Sequence, residues 1–80
     1  MSITPSQCRA ARSLINLDQN DLAKAASVSR GVIIDFEKER RTPGKNNLAA
    51  IRAALESAGV IFLADGETTT GGPGVRLESS

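Results

Sequence analysis

Arg30, Arg40, Arg41 and Lys45 are the side chains best equipped for chemistry in this 80-residue chain, and the chemistry they suit is anion recognition. An arginine fork can take guanine O6 and N7 together or straddle a phosphate, whereas lysine acts as a point charge. The five charges between Lys38 and Lys45 sum to +3. The net charge of +1 conceals this asymmetry: residues 1–63 carry nine Lys and Arg against six Asp and Glu, and residues 64–80 carry one against three. A local basic cluster is what polyanion binding requires, because affinity follows the number of phosphates neutralised and counterions released.

The same inventory argues against catalysis. The absence of histidine removes the commonest general base and metal ligand, and a single cysteine cannot build a thiolate metal site. Two carboxylate pairs, Asp18 with Asp21 and Glu37 with Glu39, fall at helix ends, where capping explains the first. Gly71, Gly72 and Gly74 follow no strand-to-helix signal and lack the lysine of a phosphate loop. No enzymatic activity, metal, cofactor or small-molecule effector is therefore expected. Cys8 reads as a small buried hydrophobe in a reducing, cytoplasmic compartment, and the longest apolar run, Gly59 to Ala64, is too short to span a membrane.

Two short helices must position these cations. Asp18 caps the first of them, at residues 19–26, and Leu22, Ala23 and Ala26 give it a narrow, mostly alanine stripe that permits close approach of a neighbour. Ser27, Val28 and Ser29 break the run; Val28 fills the angle between the helices and Ser29 caps the second, at residues 30–38. That second helix buries Ile33 and Phe36, holds Val32 at its edge and presents Arg30, Gly31, Ile34 and Asp35 outward. The spacing matches a helix-turn-helix, in which one helix braces another whose start enters the DNA major groove.

Gln19, Leu22, Ala23, Val28, Ser29, Ile33 and Glu37 also follow the Q-x-x-L-A…V-S-x-x-x-I-x-x-x-E pattern. In this the chain resembles the Cro and phage-repressor type of helix-turn-helix regulator, the XRE-like family. Arg12, Pro43, Leu48, Ile51, Leu55 and Gly59 extend the likeness over residues 6–60. The resemblance implies base or groove contact at Ser29, Arg30, Gly31, Val32 and Asp35. It also implies phosphate contact at Gln19 and an ion pair between Arg12 and Glu37 that ties the first helix to the third. Arg40, Arg41 and Lys45 join Gln19 as expected phosphate contacts. The chain departs from the family at Glu39, where glycine often ends the third helix. It also offers few polar readers, since Gly31 has no side chain and Val32 can only touch a thymine methyl.

The flanking segments complete the plan. Thr4, Pro5 and Gln7 form a capping box for a first helix at residues 5–15, with Ile3 and Cys8 placed as a hydrophobic staple and Cys8, Ala11, Leu14 and Ile15 as its buried face. Thr42, Pro43 and Gly44 form a loop before a fourth helix at residues 45–58, which buries Leu48, Ile51, Leu55 and Ala58 and leaves Arg52 and Glu56 solvated. Val60, Ile61, Phe62 and Leu63 read as a strand, and Val75 to Leu77 as its partner across a flexible tip at residues 65–74. The alternative is a disordered tail after Ala64; residues 78–80 are a disordered end in either case.

The expectation is thus a mainly α, compact four-helix lambda-repressor-like DNA-binding domain over residues 1–63, with a short C-terminal β-hairpin or strand pair at residues 60–77. Its expected partner is a palindromic double-stranded DNA operator, read by a homodimer acting as a repressor and joined through Val60, Ile61, Phe62, Leu63, Val75 and Leu77. The rival reading is a protein-interaction module, antitoxin-like, that keeps the fold without using DNA and docks its partner on Ile34 and Val32.

Overall fold

The computed structural model describes residues 3–63 and 74–77. Four helices are followed by two strands: α1 Pro5–Ile15, α2 Gln19–Ala26, α3 Arg30–Glu37, α4 Lys45–Ser57, β1 Val60–Leu63 and β2 Gly74–Leu77. The architecture is the mainly α one expected from the sequence, with the strand pair present. The expected tip at residues 65–74 falls, up to residue 73, outside the described residues, as does the expected disordered end at residues 78–80.

The helix starts are built from side-chain caps. Thr4 accepts from the Gln7 amide while the Gln7 side chain accepts from the Thr4 amide, which makes the box at α1 reciprocal; Ile3 and Cys8 are both buried beside it. Asp18 caps α2 and Ser29 caps α3. Gly44 precedes α4 and offers no side-chain cap.

Three helices end the same way without glycine. Asn16 (φ 53), Ser27 (φ 57) and Glu39 (φ 59) take the left-handed conformation. After each, an amide reaches back five residues: Leu17 to Arg12, Val28 to Ala23, and Arg40 to Asp35. This is the Schellman arrangement, normally served by glycine at the left-handed position. Only α4 uses one, Gly59 at φ 97. Each chain reversal between the first three helices is therefore short and strained at a single residue, which fixes their crossing.

Leu22, Ile33, Ile51 and Leu55 form the fully buried centre, each contributing about 1.5–3 kcal/mol. Ile3, Cys8, Ala11, Ala23, Ala26, Phe36, Leu48, Val60 and Phe62 close it. The alanine face of α2 packs against both α3 and α4, β1 lies along α4, and β2 lies along α1. The strands are antiparallel, with Val60 opposite Leu77 and Leu63 opposite Gly74.

The structure corrects two core assignments and one surface assignment. Leu14 is 44% exposed, because the buried stripe of α1 runs through Cys8, Ala11 and Ile15 and Leu14 sits about 100° from Ile15 around the axis. Ala58 caps α4 and is exposed. Arg52 is more than a solvated charge: it pairs with Glu56 at 3.1 Å and stacks 5.5 Å above the Phe62 ring, linking α4 to β1.

Gln7 holds the hairpin to the bundle. Its side-chain amide donates to the carbonyls of Leu63 and Gly74, both at 3.0 Å, while its oxygen accepts from Thr4 at 2.9 Å. Those two carbonyls belong to one cross-strand pair. One buried side chain therefore caps a helix and closes a two-stranded sheet that alone would be marginal.

Candidate nucleic-acid interface

The turn between α2 and α3 determines which part of α3 faces outward. Ser27 reverses the chain, Val28 packs half-buried against the core, and the Ser29 hydroxyl accepts from the Val32 amide at 3.3 Å. From there α3 buries Ile33, Phe36 and Glu37. Ser29, Arg30 and Gly31 are left exposed at its start, and Val32 and Asp35 are half-buried at its flank. A Cβ on Gly31 would meet only the Ser29 hydroxyl, at 3.9 Å, so nothing within the fold requires glycine there.

Glu37 anchors this helix from within. The Arg12 guanidinium grips its carboxylate at both oxygens, Nε to Oε2 at 2.6 Å and Nη2 to Oε1 at 2.7 Å. Gln19 Nε2 donates to Oε1 at 3.0 Å and the Cys8 thiol to Oε2 at 3.1 Å. Arg9 adds a hydrogen bond to the Glu37 backbone carbonyl, placing a cation at the negative end of α3. Burial alone would raise the Glu37 pKa, but the hydrogen bonds from Arg12, Cys8 and Gln19, together with the Arg12 charge, bring it below the ordinary value. Burial, reinforced by Glu37, pushes the Cys8 thiol far up, so it stays protonated and donates. Arg12 remains one-fifth exposed while Glu37 is almost wholly buried.

The expected site residues fall around two open concavities that flank the start of α3. On one side Arg30 shares a polar cleft with Arg12, Asp18, Gln19 and Asn20. On the other, Ser29, Gly31, Val32 and Asp35 line a groove together with Arg41 and Asn47, between α3 and the segment leading into α4. The Schellman turn after Lys38 folds that segment back: the Arg40 and Arg41 amides both donate to the Asp35 carbonyl, at 2.8 and 3.4 Å. The Arg40 guanidinium lies 4.0 Å from the Asp35 carboxylate in an exposed pair, and Lys45 is exposed at the first position of α4. This grouping differs from the sequence-based one. Arg30 lies with Gln19, and Arg41 lies with the helix positions expected to meet bases.

Other expectations change as well. Val60 and Phe62 point into the monomer core, 2% and 5% exposed, because alternate residues of a strand face opposite sides. They cannot form a contact surface between copies; Ile61, Leu63 and Val75 are half-buried and Leu77 is 47% exposed. Ile34 is half-buried, not outward, so it forms no exposed apolar patch with Val32, which itself packs on the core. The roles of Cys8, Arg9 and Gln19 around Glu37 were not foreseen from spacing. The i to i+4 pattern that could have hinted at Cys8 and Arg12 sharing a face reads equally well as core and surface.

No group of three or more potential metal ligands occurs among the described residues, and no described helix is long and apolar enough to cross a membrane. No curated protein matches the chain. The DNA-binding domain of the P22 C2 repressor, a solution structure of its residues 1–76, is similar in fold at a TM-score of 0.62, with 28% identity over 70% of this chain and 75% of that one. The helix-turn-helix family model matches residues 9–58, from the arginine that meets the end of α3 to the cap of α4. With more than half of its length matched, and with Gln19, Ser29 and Glu37 arranged around a turn of this geometry, the chain belongs to the XRE-type helix-turn-helix family.

Proposed function

We propose that the protein is a sequence-specific transcriptional regulator, a repressor, that binds double-stranded DNA by laying the start of α3 in the major groove. The observation that carries this reading is the placement of Ser29, Arg30 and Gly31 exposed at the tip of a helix whose far end is locked by Glu37, with an arginine-bearing concavity on each side. A probe of that kind needs a rigid base, because base readout depends on geometry while phosphate contacts set register. The similarity to a repressor's DNA-binding domain supports the same conclusion.

Gln19 contributes to backbone contact through its main-chain N–H at the positive end of α2, since its side-chain amide is engaged by Glu37. Lys45 and Arg40 add cationic contacts on the opposite flank. So few polar readers make one half-site weak. Two copies whose probes lie one helical turn apart, about 34 Å, would read a palindrome and double the phosphate contacts. The apolar surface left to join them is the outer side of the hairpin, at Ile61 and Leu63, since Val75 and Leu77 lie opposite Phe62 and Val60 on the core side. The absence of an exposed apolar patch at Ile34 and Val32 gives the partner-binding alternative no surface on α3.

Selection of bound duplexes from a random pool, at stated salt, tests the proposal. It should return an enriched inverted repeat with half-sites about ten base pairs apart. Return of the unenriched pool overturns it.

A further inference from the structure

Resting on that DNA-binding reading, the geometry points to a division of labour between two arginines. Arg41, from the segment after α3, reads a base edge, while Arg30, at the head of α3, clamps the sugar-phosphate backbone. Position along the chain suggests the reverse, because Arg30 opens the helix and Arg41 lies in a loop. The spatial grouping decides otherwise.

Arg30 lines the cleft that contains Gln19 and Asn20 at the start of α2, and it does not line the groove formed by Ser29, Gly31, Val32 and Asp35. Among the described residues it has no hydrogen-bond or ion-pair partner, and Asp18, which shares the cleft, caps its own helix instead. When α3 is laid in the groove, this cleft faces the strand that Gln19 meets. A guanidinium there can satisfy its donors on phosphate oxygens.

Arg41 stands in the other concavity. The hydrogen bond of its amide to the Asp35 carbonyl brings the loop against the outward flank of α3, so Arg41, Val32, Asp35 and Asn47 share one groove with Ser29 and Gly31. Asp35 has Arg40 as its near cation, 4.0 Å away, which leaves Arg41 available to the ligand. Gly31, lacking a side chain, and Val32, lacking a polar atom, leave room and no competitor for a guanidinium entering from the side. Arg41 thereby supplies the polar readout that the head of α3 lacks, and a fork donating to guanine O6 and N7 is the contact its chemistry suits.

The test uses the full chain and a duplex recovered by selection. Affinity is measured against salt for that duplex and for each single base-pair variant, with Arg30→Ala, Arg30→Lys, Arg41→Ala and Arg41→Lys, all confirmed folded by circular dichroism. Arg30→Ala should weaken every duplex by a similar factor and reduce the slope of log K against log salt by about one ion, while Arg30→Lys restores most of both. Arg41→Ala should cut discrimination at one G·C pair by about tenfold or more and leave it unchanged elsewhere. Arg41→Lys should keep the slope but not recover the discrimination, because a point charge cannot replace a fork. Uniform weakening by Arg41→Ala, or loss of discrimination at one position in Arg30→Ala, overturns the assignment while leaving DNA binding intact. Failure of the unaltered protein to prefer any duplex overturns the assignment and the functional reading together.

Discussion

Gln19 Nε2 donates to Glu37 Oε1 at 3.0 Å, so the residue that opens α2 is fastened to the carboxylate that closes α3. Arg12 from α1 grips the same carboxylate. Three helices thus meet at one buried group, and the start of α2 cannot move without disturbing the anchor of α3.

This anchor makes stability depend on acid in a defined direction. Glu37 has a folded pKa below its unfolded value of about 4.5, so its contribution is complete above that value and lost as pH falls through the lower folded one. Chemical denaturation of the wild type should therefore show an acid-limb slope that Glu37→Gln lacks. Arg12→Met should cost about 3 kcal/mol at neutral pH by leaving a buried carboxylate without its main partner. In that background burial is opposed only by the Cys8 and Gln19 hydrogen bonds, so the Glu37 pKa moves up from its depressed folded position and the acid-limb slope shrinks. An unchanged acid slope in Arg12→Met would show that Arg12 does not hold the Glu37 proton off.

Glu39 occupies a position whose backbone favours glycine, at φ 59. Glu39→Gly should raise stability by about 1 kcal/mol through relief of the left-handed conformation. Removal of a negative charge between Lys38 and Arg40 should also strengthen DNA binding at low salt, with the gain disappearing as salt rises. Thermal unfolding and a salt titration measure the two effects separately.

Gln7 spends all three of its amide hydrogen-bonding contacts on Thr4, Leu63 and Gly74. Gln7→Glu keeps the acceptor for Thr4 but turns a carboxylate toward two carbonyls. It should cost about 2–3 kcal/mol, more than Gln7→Ala at about 1–2 kcal/mol. Amide hydrogen exchange in β1 and β2 should accelerate more than in α2 for either variant. Equal acceleration everywhere would mean the hairpin has no local opening of its own.

Gly31 separates fold from function. Because an added methyl meets only the Ser29 hydroxyl at 3.9 Å, Gly31→Ala should leave the free protein as stable or raise its stability by about 0.5 kcal/mol. The same methyl should lower affinity for the selected duplex several-fold if the tip of α3 lies against base edges. Undiminished affinity, measured by fluorescence anisotropy, would place Gly31 away from the DNA.

Where the chain announced its fold, it did so through local chemistry. Thr4, Asp18 and Ser29 are capping residues set just before apolar runs of helical period, and the starts of α1, α2 and α3 follow from them. Helix ends were harder to read, since Asn16, Ser27 and Glu39 carry no glycine signal and depend on tertiary packing to hold a left-handed turn. The expected site residues could be named from the sequence, but their spatial grouping could not. The separation of Arg30 from Arg41 depends on the fold-back at the Asp35 carbonyl, a backbone contact that side-chain identity does not encode. Likewise Gln7 was visible as a cap, but its grip on Leu63 and Gly74 spans more than fifty residues and leaves no periodic trace.

The claim that the opening of α3 is the probe is tested most directly by titrating the isotope-labelled protein with its selected duplex and following backbone amide shifts. The account predicts the largest changes at Ser29 to Asp35, with secondary ones at Gln19 and from Arg40 to Lys45. Changes confined to the Leu14 side of α1 and to the strands, with the amides of α3 unmoved at saturation, would contradict it.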